Sequence, residues 1–203
     1  MKLLLDIGNT RLKSAYAFNG QLKSLPTLAH QFWPATKILI PKAQRFSLGV
    51  TNGYQEPEKL GIDRWLALIA IRQLYSEAIC VVDCGTAITV DFLAANGQHL
   101  GGVISPGLLL MKRALAWGTE QLPMVQQHGF LGLANHTEAA INSGVLYAAT
   151  GLIEKCLTNQ ASDFKLVLSG GDAQLLASFI TKPAVIHPEL VLQGLLAVSH
   201  EEE

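Results

Sequence analysis

Charge is scarce in this chain. Of its 203 residues 15 are basic and 16 acidic, a formal net charge of −1 at neutral pH. Neither sign is clustered, so there is no electrostatic footprint for nucleic acid or an anionic membrane, and any anionic ligand has to be held by local groups. Cysteine is limited to Cys80, Cys84 and Cys156, all in apolar stretches. Cys80 and Cys84 share one face of a strand but stand too far apart along it for a relaxed disulfide, and no zinc-ligand spacing accompanies them. Buried, reduced thiols are expected. His30, His99, His128, His136, His187 and His200 likewise form no ligand pattern and are read as surface or loop residues. No charge-free apolar run reaches membrane-spanning length, and Met1-Lys2-Leu3-Leu4-Leu5-Asp6 meets a charge after three leucines, too soon for a signal-peptide core. A soluble cytoplasmic protein with no nucleic-acid or membrane partner is expected.

What the chain does have is apolar mass, with 49% hydrophobic residues, enough for a well-filled core at this length. Strand and helix signals alternate, so the expected class is α/β. An apolar strand ends at Asp6, a second runs from Leu12 to Phe18, and Asn19-Gly20 turns the chain into Gln21 to Leu25. A further strand is predicted at Lys37 to Ile40, and Pro26, Pro34 and Pro41 exclude long helices there. Ile62, Leu66, Ile69, Ala70 and Leu74 recur at helical spacing, which predicts a helix over 62–75. The opening order then repeats from Ile79: strand, acidic tip at Asp83, strand Ile88 to Leu93, a turn at Ala95-Asn96-Gly97, strand Gln98 to Ile104. This is an internal duplication, dividing the chain into residues 1–78 and 79–203. Helices over 107–117, 137–157, 172–180 and 189–198 and a strand over 165–169 complete the pattern.

The chemistry sits at the repeated tips, Asp6-Ile7-Gly8-Asn9-Thr10 and Asp83-Cys84-Gly85-Thr86-Ala87. Glycine lets the backbone bend so that amide and hydroxyl donors approach a phosphate, while the aspartate holds a metal ion or its water. Either run alone reads equally as an ordinary tight turn with an Asx bond; their recurrence, with Thr89 and Asp91 after the second, favours phosphate and cation binding. No P-loop is present. Lys13 is placed to reach a phosphate, or else is a solvated strand lysine. Gly61-Ile62-Asp63-Arg64 opens a helix. It puts a carboxylate able to take a hydroxyl proton beside a guanidinium able to grip a carboxylate, although Asp63 also reads as a plain helix cap. Gly101 to Gly107 reads as a glycine-proline loop into a helix whose N-terminus favours an anion, or as a simple connection. Ser169-Gly170-Gly171-Asp172 suits a ribose or adenosine contact, or a tight strand-to-helix turn.

Together these motifs resemble type III pantothenate kinase, as do Thr119 to Pro123, Asn135 to Thr137, Ser143-Gly144 and Leu192 to Leu195, in the same order over nearly the whole chain. The resemblance implies duplicated domains of the actin/Hsp70/sugar-kinase type (ribonuclease H-like). It implies a kinase that moves a phosphoryl group from ATP to the primary hydroxyl of pantothenate, giving 4′-phosphopantothenate for coenzyme A synthesis. Carried over, it makes Asp63 the general base and Tyr54, Gly61, Ile62, Asp63 and Arg64 the pantothenate site, Arg64 holding the carboxylate and Thr137 arriving from the partner of a homodimer. Asp6, Ile7, Gly8, Asn9, Thr10, Arg11, Leu12, Lys13 and Thr86 would bind ATP with Mg²⁺ at Asp6, and Asp83 a monovalent cation, K⁺ or ammonium. The chain is shorter than typical members, mainly before Tyr54, and Cys84 occupies a variable place. Two alternatives remain: a non-catalytic transcriptional accessory protein of the same family, and another ATPase of the same superfold.

Overall fold

A computed structural model describes residues 2–7, 12–18, 21–24, 41–126, 131–161 and 163–201. The chain forms two compact units. The first takes in Met1–Glu77, Leu93–Gly101 and Glu189–Glu203, and the second Ala78–Phe92 and Gly102–Pro188. Among the described residues no helix is long and apolar enough to cross a membrane.

In the first unit β1 (Lys2–Ile7), β2 (Leu12–Phe18) and β3 (Gln21–Ser24) make an antiparallel meander, with Asp6 opposite Lys13 and Ile7 opposite Leu12. The tip residues Gly8, Asn9, Thr10 and Arg11, the turn at Asn19-Gly20 and the strand expected at 37–40 lie outside the described residues. A small hairpin of β4 (Phe46–Ser47) and β5 (Val50–Thr51) was not expected from the sequence pattern. Its two-residue turn, Leu48-Gly49, has φ of 47° and 82°, the left-handed pair that matches strand twist.

Helix α1 (Ile62–Leu74) starts after Gly61 and stops at the extended Tyr75. The one-sided apolar stripe expected for it is corrected by the structure. Every residue from Arg64 to Ile71 is buried, whereas Ile62 and Leu74, read as core positions, are exposed helix ends. A helix covered on all sides shows no clean stripe. Much of that cover is α5 (Leu190–Glu201), which extends past the predicted end at Val198. The two helices meet backbone to backbone at Gly194, where an added Cβ would lie 2.0 Å from the Leu66 carbonyl oxygen.

The second unit is built on a five-stranded sheet in the order β10-β9-β6-β7-β8. Its strands are β6 (Ile79–Cys84), β7 (Ala87–Leu93), β8 (His99–Pro106), β9 (Lys165–Ser169) and β10 (Ala184–Ile186), with β6, β9 and β10 parallel and with Leu93 and His99–Gly101 counted in the first unit. Strand alternation is clear: Cys80, Val82 and Cys84 of β6, Ile88, Val90 and Phe92 of β7, and Leu166 and Leu168 of β9 enter one core. Helix α3 (Thr137–Thr158) covers it with Val145, Leu146, Ala149 and Ile153. Phe92 and Phe164 meet edge to face at 5.0 Å.

Two expectations are corrected in this unit. The strand expected over Gln98 to Ile104 is β8, an edge strand that runs on to Pro106, so the loop also read from Gly101 onward is not there and only Gly107 is left to cap α2 (Leu108–Gly118). The helix expected over 172–180 shrinks to α4 (Ala173–Ala177), because Ser178 and Phe179 donate three residues back, to Leu175 and Leu176, and tighten the end of the helix into turns.

The contact at Gly194 leaves no room for a side chain. Gly194→Ala is expected to lower unfolding free energy by about 1–3 kcal/mol, measured by urea denaturation. An unchanged midpoint would mean that α1 and α5 are not in backbone contact.

Candidate active site

At the start of α1 the residues Gly61 to Arg64 assemble a carboxylate and a guanidinium through local geometry. The helix cap is Gly61, not Asp63, which corrects the reading of Asp63 as a cap. Asp63 is the second helical residue, exposed, and its Oδ1 accepts the Arg64 backbone N–H at 2.8 Å. A Cβ on Gly61 would stand 2.7 Å from that Oδ1, so glycine here makes room for the carboxylate. The Arg64 side chain is the opposite case, only 5% exposed. Its Nη1 donates to the Tyr54 hydroxyl at 2.6 Å, and the guanidinium carbon lies 5.4 Å from the centre of the Tyr54 ring.

Tyr54 is held by a strap of backbone. Asn52, buried, accepts the Tyr54 N–H on Oδ1 at 2.9 Å and donates from Nδ2 to the Pro57 carbonyl at 3.1 Å. Arg45 donates to the carbonyls of Tyr54 at 2.9 Å and Gln55 at 3.0 Å. The strap is sewn to the start of β8 by Thr51 N–H to Gly97 O at 2.9 Å, and Gly53 presses so closely that a Cβ would lie 2.1 Å from the His99 carbonyl oxygen. His99 is 1% exposed and its ring stacks on Tyr54 at 6.0 Å, the planes 16° apart. Its reading as a surface or loop residue is therefore wrong. Lack of ligand spacing argued against a metal but carried no information about burial. Arg45, Asn52 and His99 were missed because polar residues holding a loop leave no periodic trace.

In the second unit two other segments converge on the tip at Asp83, which also closes on itself. Cys84 O accepts the Asp172 N–H at 3.0 Å, Thr86 O accepts the Gly107 N–H at 2.9 Å, and Ala87 O accepts the Gly85 N–H at 3.1 Å. The amides of Gly85 and Gly107, expected to face an anion, are thus engaged within the protein. Gly107 is required sterically, since a Cβ would sit 2.1 Å from Gly85 O. Gly170, at φ +89°, lies against Asp83, where a Cβ would meet Oδ1 at 2.5 Å. Asp83 is half-buried and pairs in register with Ser169, whose buried hydroxyl has no hydrogen-bond partner among the described residues. Paired residues of parallel strands project to the same face. Burial pushes the Cys84 thiol pKa up, and the carboxylates of Asp83 and Asp172 push it further. The Cys80 thiol is raised chiefly by burial as well, so both thiols are inert, as expected. The buried Lys112 ammonium faces the opposite penalty: burial lowers its pKa, and the Asp172 carboxylate partly restores it.

The expected residues are therefore distributed as follows. Tyr54, Gly61, Ile62, Asp63 and Arg64 come together in the first unit; Asp83 and the exposed Thr86 share the tip in the second. Thr137 is the exposed first residue of α3. Asp6, Ile7, Leu12 and Lys13 are placed by backbone in β1 and β2, and Gly8 to Arg11 lie outside the described residues. Among the described residues no cluster of three or more His, Cys, Asp or Glu is suited to a metal.

The family model for type III pantothenate kinase matches residues 19–159. The chain belongs to that family. It is 44% identical over 163 residues to the type III pantothenate kinase of Nitrosococcus oceani, covering 75% of this chain and 61% of that protein. Against the one from Halorhodospira halophila it is 44% identical over 165 residues, 79% of this chain and 65% of that protein. The chain thus spans under two thirds of the length of these relatives. With the Burkholderia thailandensis protein the similarity is 37% over 252 positions, covering 98% and 97%. That is more positions than the 203 residues here, so this relative carries segments that the present chain lacks. Among solved structures, a protein from Campylobacter jejuni described as a Baf family transcriptional activator superposes with a TM-score of 0.68 at 26% identity, over 99% and 98% of the two chains. The activator of 2-hydroxyisocaproyl-CoA dehydratase from Clostridium difficile, solved with ADPNP, gives 0.56 at 14% identity, over 99% and 97%. The fold of this family member is the duplicated α/β fold of the actin/Hsp70/sugar-kinase class.

Proposed function

We propose that this protein is a pantothenate kinase that transfers the γ-phosphoryl group of ATP to the primary hydroxyl of pantothenate, in the cytoplasm, with its two halves at 1–78 and 79–203. The observation that carries this reading is the pairing at the start of α1 of an exposed carboxylate, Asp63, with a guanidinium fixed by Tyr54. Arg64, with Tyr54 and the backbone of Gly61 and Ile62, holds the pantothenate carboxylate. Asp63 takes the hydroxyl proton as the oxygen attacks the γ-phosphorus and the bond to the β-γ bridging oxygen breaks, releasing ADP. Phosphoryl transfer of this kind depends on positioning and charge neutralisation more than on covalent help. The first tip, Asp6 to Lys13, and Thr86 bind the nucleotide, with Asp6 as the Mg²⁺ ligand on the family resemblance.

For a monovalent cation at Asp83, K⁺ or ammonium, the residues fit. An orphaned buried hydroxyl on Ser169 lies in register with the carboxylate, and Gly170 leaves the space against Oδ1 unfilled by a side chain. Such an ion would supply positive charge beside the transferred phosphates; Asp83 and Ser169 would hold it. A homodimer is supported by α3, whose outer face exposes Ala140, Gly144, Tyr147, Ala148 and Gly151 while the other face is buried in the core. Small residues allow close helix approach across a two-fold axis, and the partner would bring Thr137 to the pantothenate pocket. The likeness to the Campylobacter protein favours a second reading, a non-catalytic accessory in transcription. Pantothenate-dependent ADP formation separates the two, and its absence would support the second.

Asp63→Asn should lower turnover by roughly a hundred- to ten-thousandfold with the fold intact, and Arg64→Ala should raise the KM for pantothenate but hardly affect an analogue lacking the carboxylate. Steady-state kinetics with circular dichroism checks both. Activity should rise with K⁺, with Na⁺ a poor substitute, and Asp83→Ala should abolish the response; equal rates with and without K⁺ would remove the cation site. In light scattering the protein should be a dimer. Mixing inactive Asp63→Asn chains with a bulky inactive Thr137 variant should restore about a quarter of activity on free subunit exchange, since one site of each heterodimer carries neither lesion.

A further inference from the structure

His99 has no role in the reading above, yet it is almost wholly enclosed and touches the residue that fixes Arg64. Three observations converge on it. Its ring stacks nearly parallel on Tyr54, 16° between planes at 6.0 Å. The Gly53 N–H points to its Nδ1 at 3.4 Å. Its own backbone carbonyl is the surface against which Gly53 is pressed. Tyr54 has its main chain fixed by Asn52 and Arg45, so its phenol is left to side-chain packing, and the stacked imidazole supplies it. The phenol in turn accepts from Arg64 Nη1 at 2.6 Å and offers its ring to the guanidinium. A long arginine side chain loses much rotamer freedom when held in one place, and a pre-set clamp loses less on binding.

We propose that His99 is a positioning residue for substrate recognition: through its stack on Tyr54 it holds the Arg64 guanidinium in the orientation that receives the pantothenate carboxylate. The chain His99, Tyr54, Arg64 acts on binding of the carboxylate and leaves the nucleotide and the transfer step alone. A planar ring is what the contact uses, so phenylalanine substitutes for it and leucine, of similar bulk but not planar, does not. This inference rests on the pantothenate reading of Arg64 for its substrate, though not for its geometry.

The test compares wild type with His99→Phe, His99→Leu and His99→Ala in two measurements. Kinetics should show His99→Leu and His99→Ala raising the KM for pantothenate about three- to tenfold, the scale of one lost aromatic pair, with kcat and the KM for ATP within about twofold and His99→Phe near wild type. An analogue lacking the carboxylate should show no such rise. Without any ligand, ¹⁵N NMR should show the Arg64 Nε–H signal protected from solvent exchange in wild type and His99→Phe, and lost in His99→Leu. Equal pantothenate KM in Phe and Leu variants, or parallel loss for both substrates, overturns the inference. If the NMR signal follows the ring at position 99 while wild type makes no ADP with pantothenate, the stack stands and the pantothenate reading falls.

Discussion

A guanidinium taken out of water must keep its hydrogen bonds, and Arg64 imposes that demand on the first unit. Burying a charge without partners costs far more than a loop contact returns, so the groups around it are set to tight tolerances. The Tyr54 hydroxyl and ring face the cation, Asn52 and Arg45 fix the Tyr54 backbone, and Gly53 lets the strap lie flat against β8. The hydrogen bonds of Arg45 and Asn52 thus set the backbone of the residue whose hydroxyl meets the buried guanidinium.

The second unit meets a different constraint, in which backbone replaces side chains. Cys84, Gly85, Thr86, Gly107 and Gly170 crowd into a space where a single Cβ would collide with a carbonyl oxygen at 2.1–2.5 Å. Their amides and carbonyls bind one another, so the tip is rigid before any ligand arrives. Its electrostatics are then left to burial and side chains: burial raises the Cys84 thiol with Asp83 and Asp172 adding to it, and burial lowers Lys112 with Asp172 partly offsetting it. A tip stiffened by its own amides carries the half-buried Asp83 and the exposed Thr86 as its polar side chains. This differs from a nest of free N–H donors, which is what the glycines alone suggested.

Much of this was legible in residue order. Apolar runs and the repeated tip gave β6 and β7, and Cys80 and Cys84 of β6 enter the core together. The candidate site at Gly61 to Arg64 could be picked out because its four residues are consecutive and their chemistry is distinctive. The stack of His99 on Tyr54 could not, because the residues are 45 apart and joined only by the fold. The hairpin at 46–51 escaped for another reason: its strands have two residues each, below any periodic signal, and its turn uses Leu48 where glycine or asparagine is usual. The α1 stripe was misjudged since α5, which covers it, lies more than a hundred residues away.

That separation has a consequence for how the polypeptide acquires its structure. The first unit is discontinuous: α1 is buried by α5, and Leu66 waits for Gly194. During synthesis the buried stretch from Trp65 to Ile71 is therefore made long before its cover, and stays a sticky apolar helix until the ribosome has passed the second unit. The second unit suffers no such delay, since its stretch from residue 102 to 188 is continuous and follows closely on β6 and β7. The half of the protein that bears Asp63 and Arg64 is the one whose cover, α5, is made last.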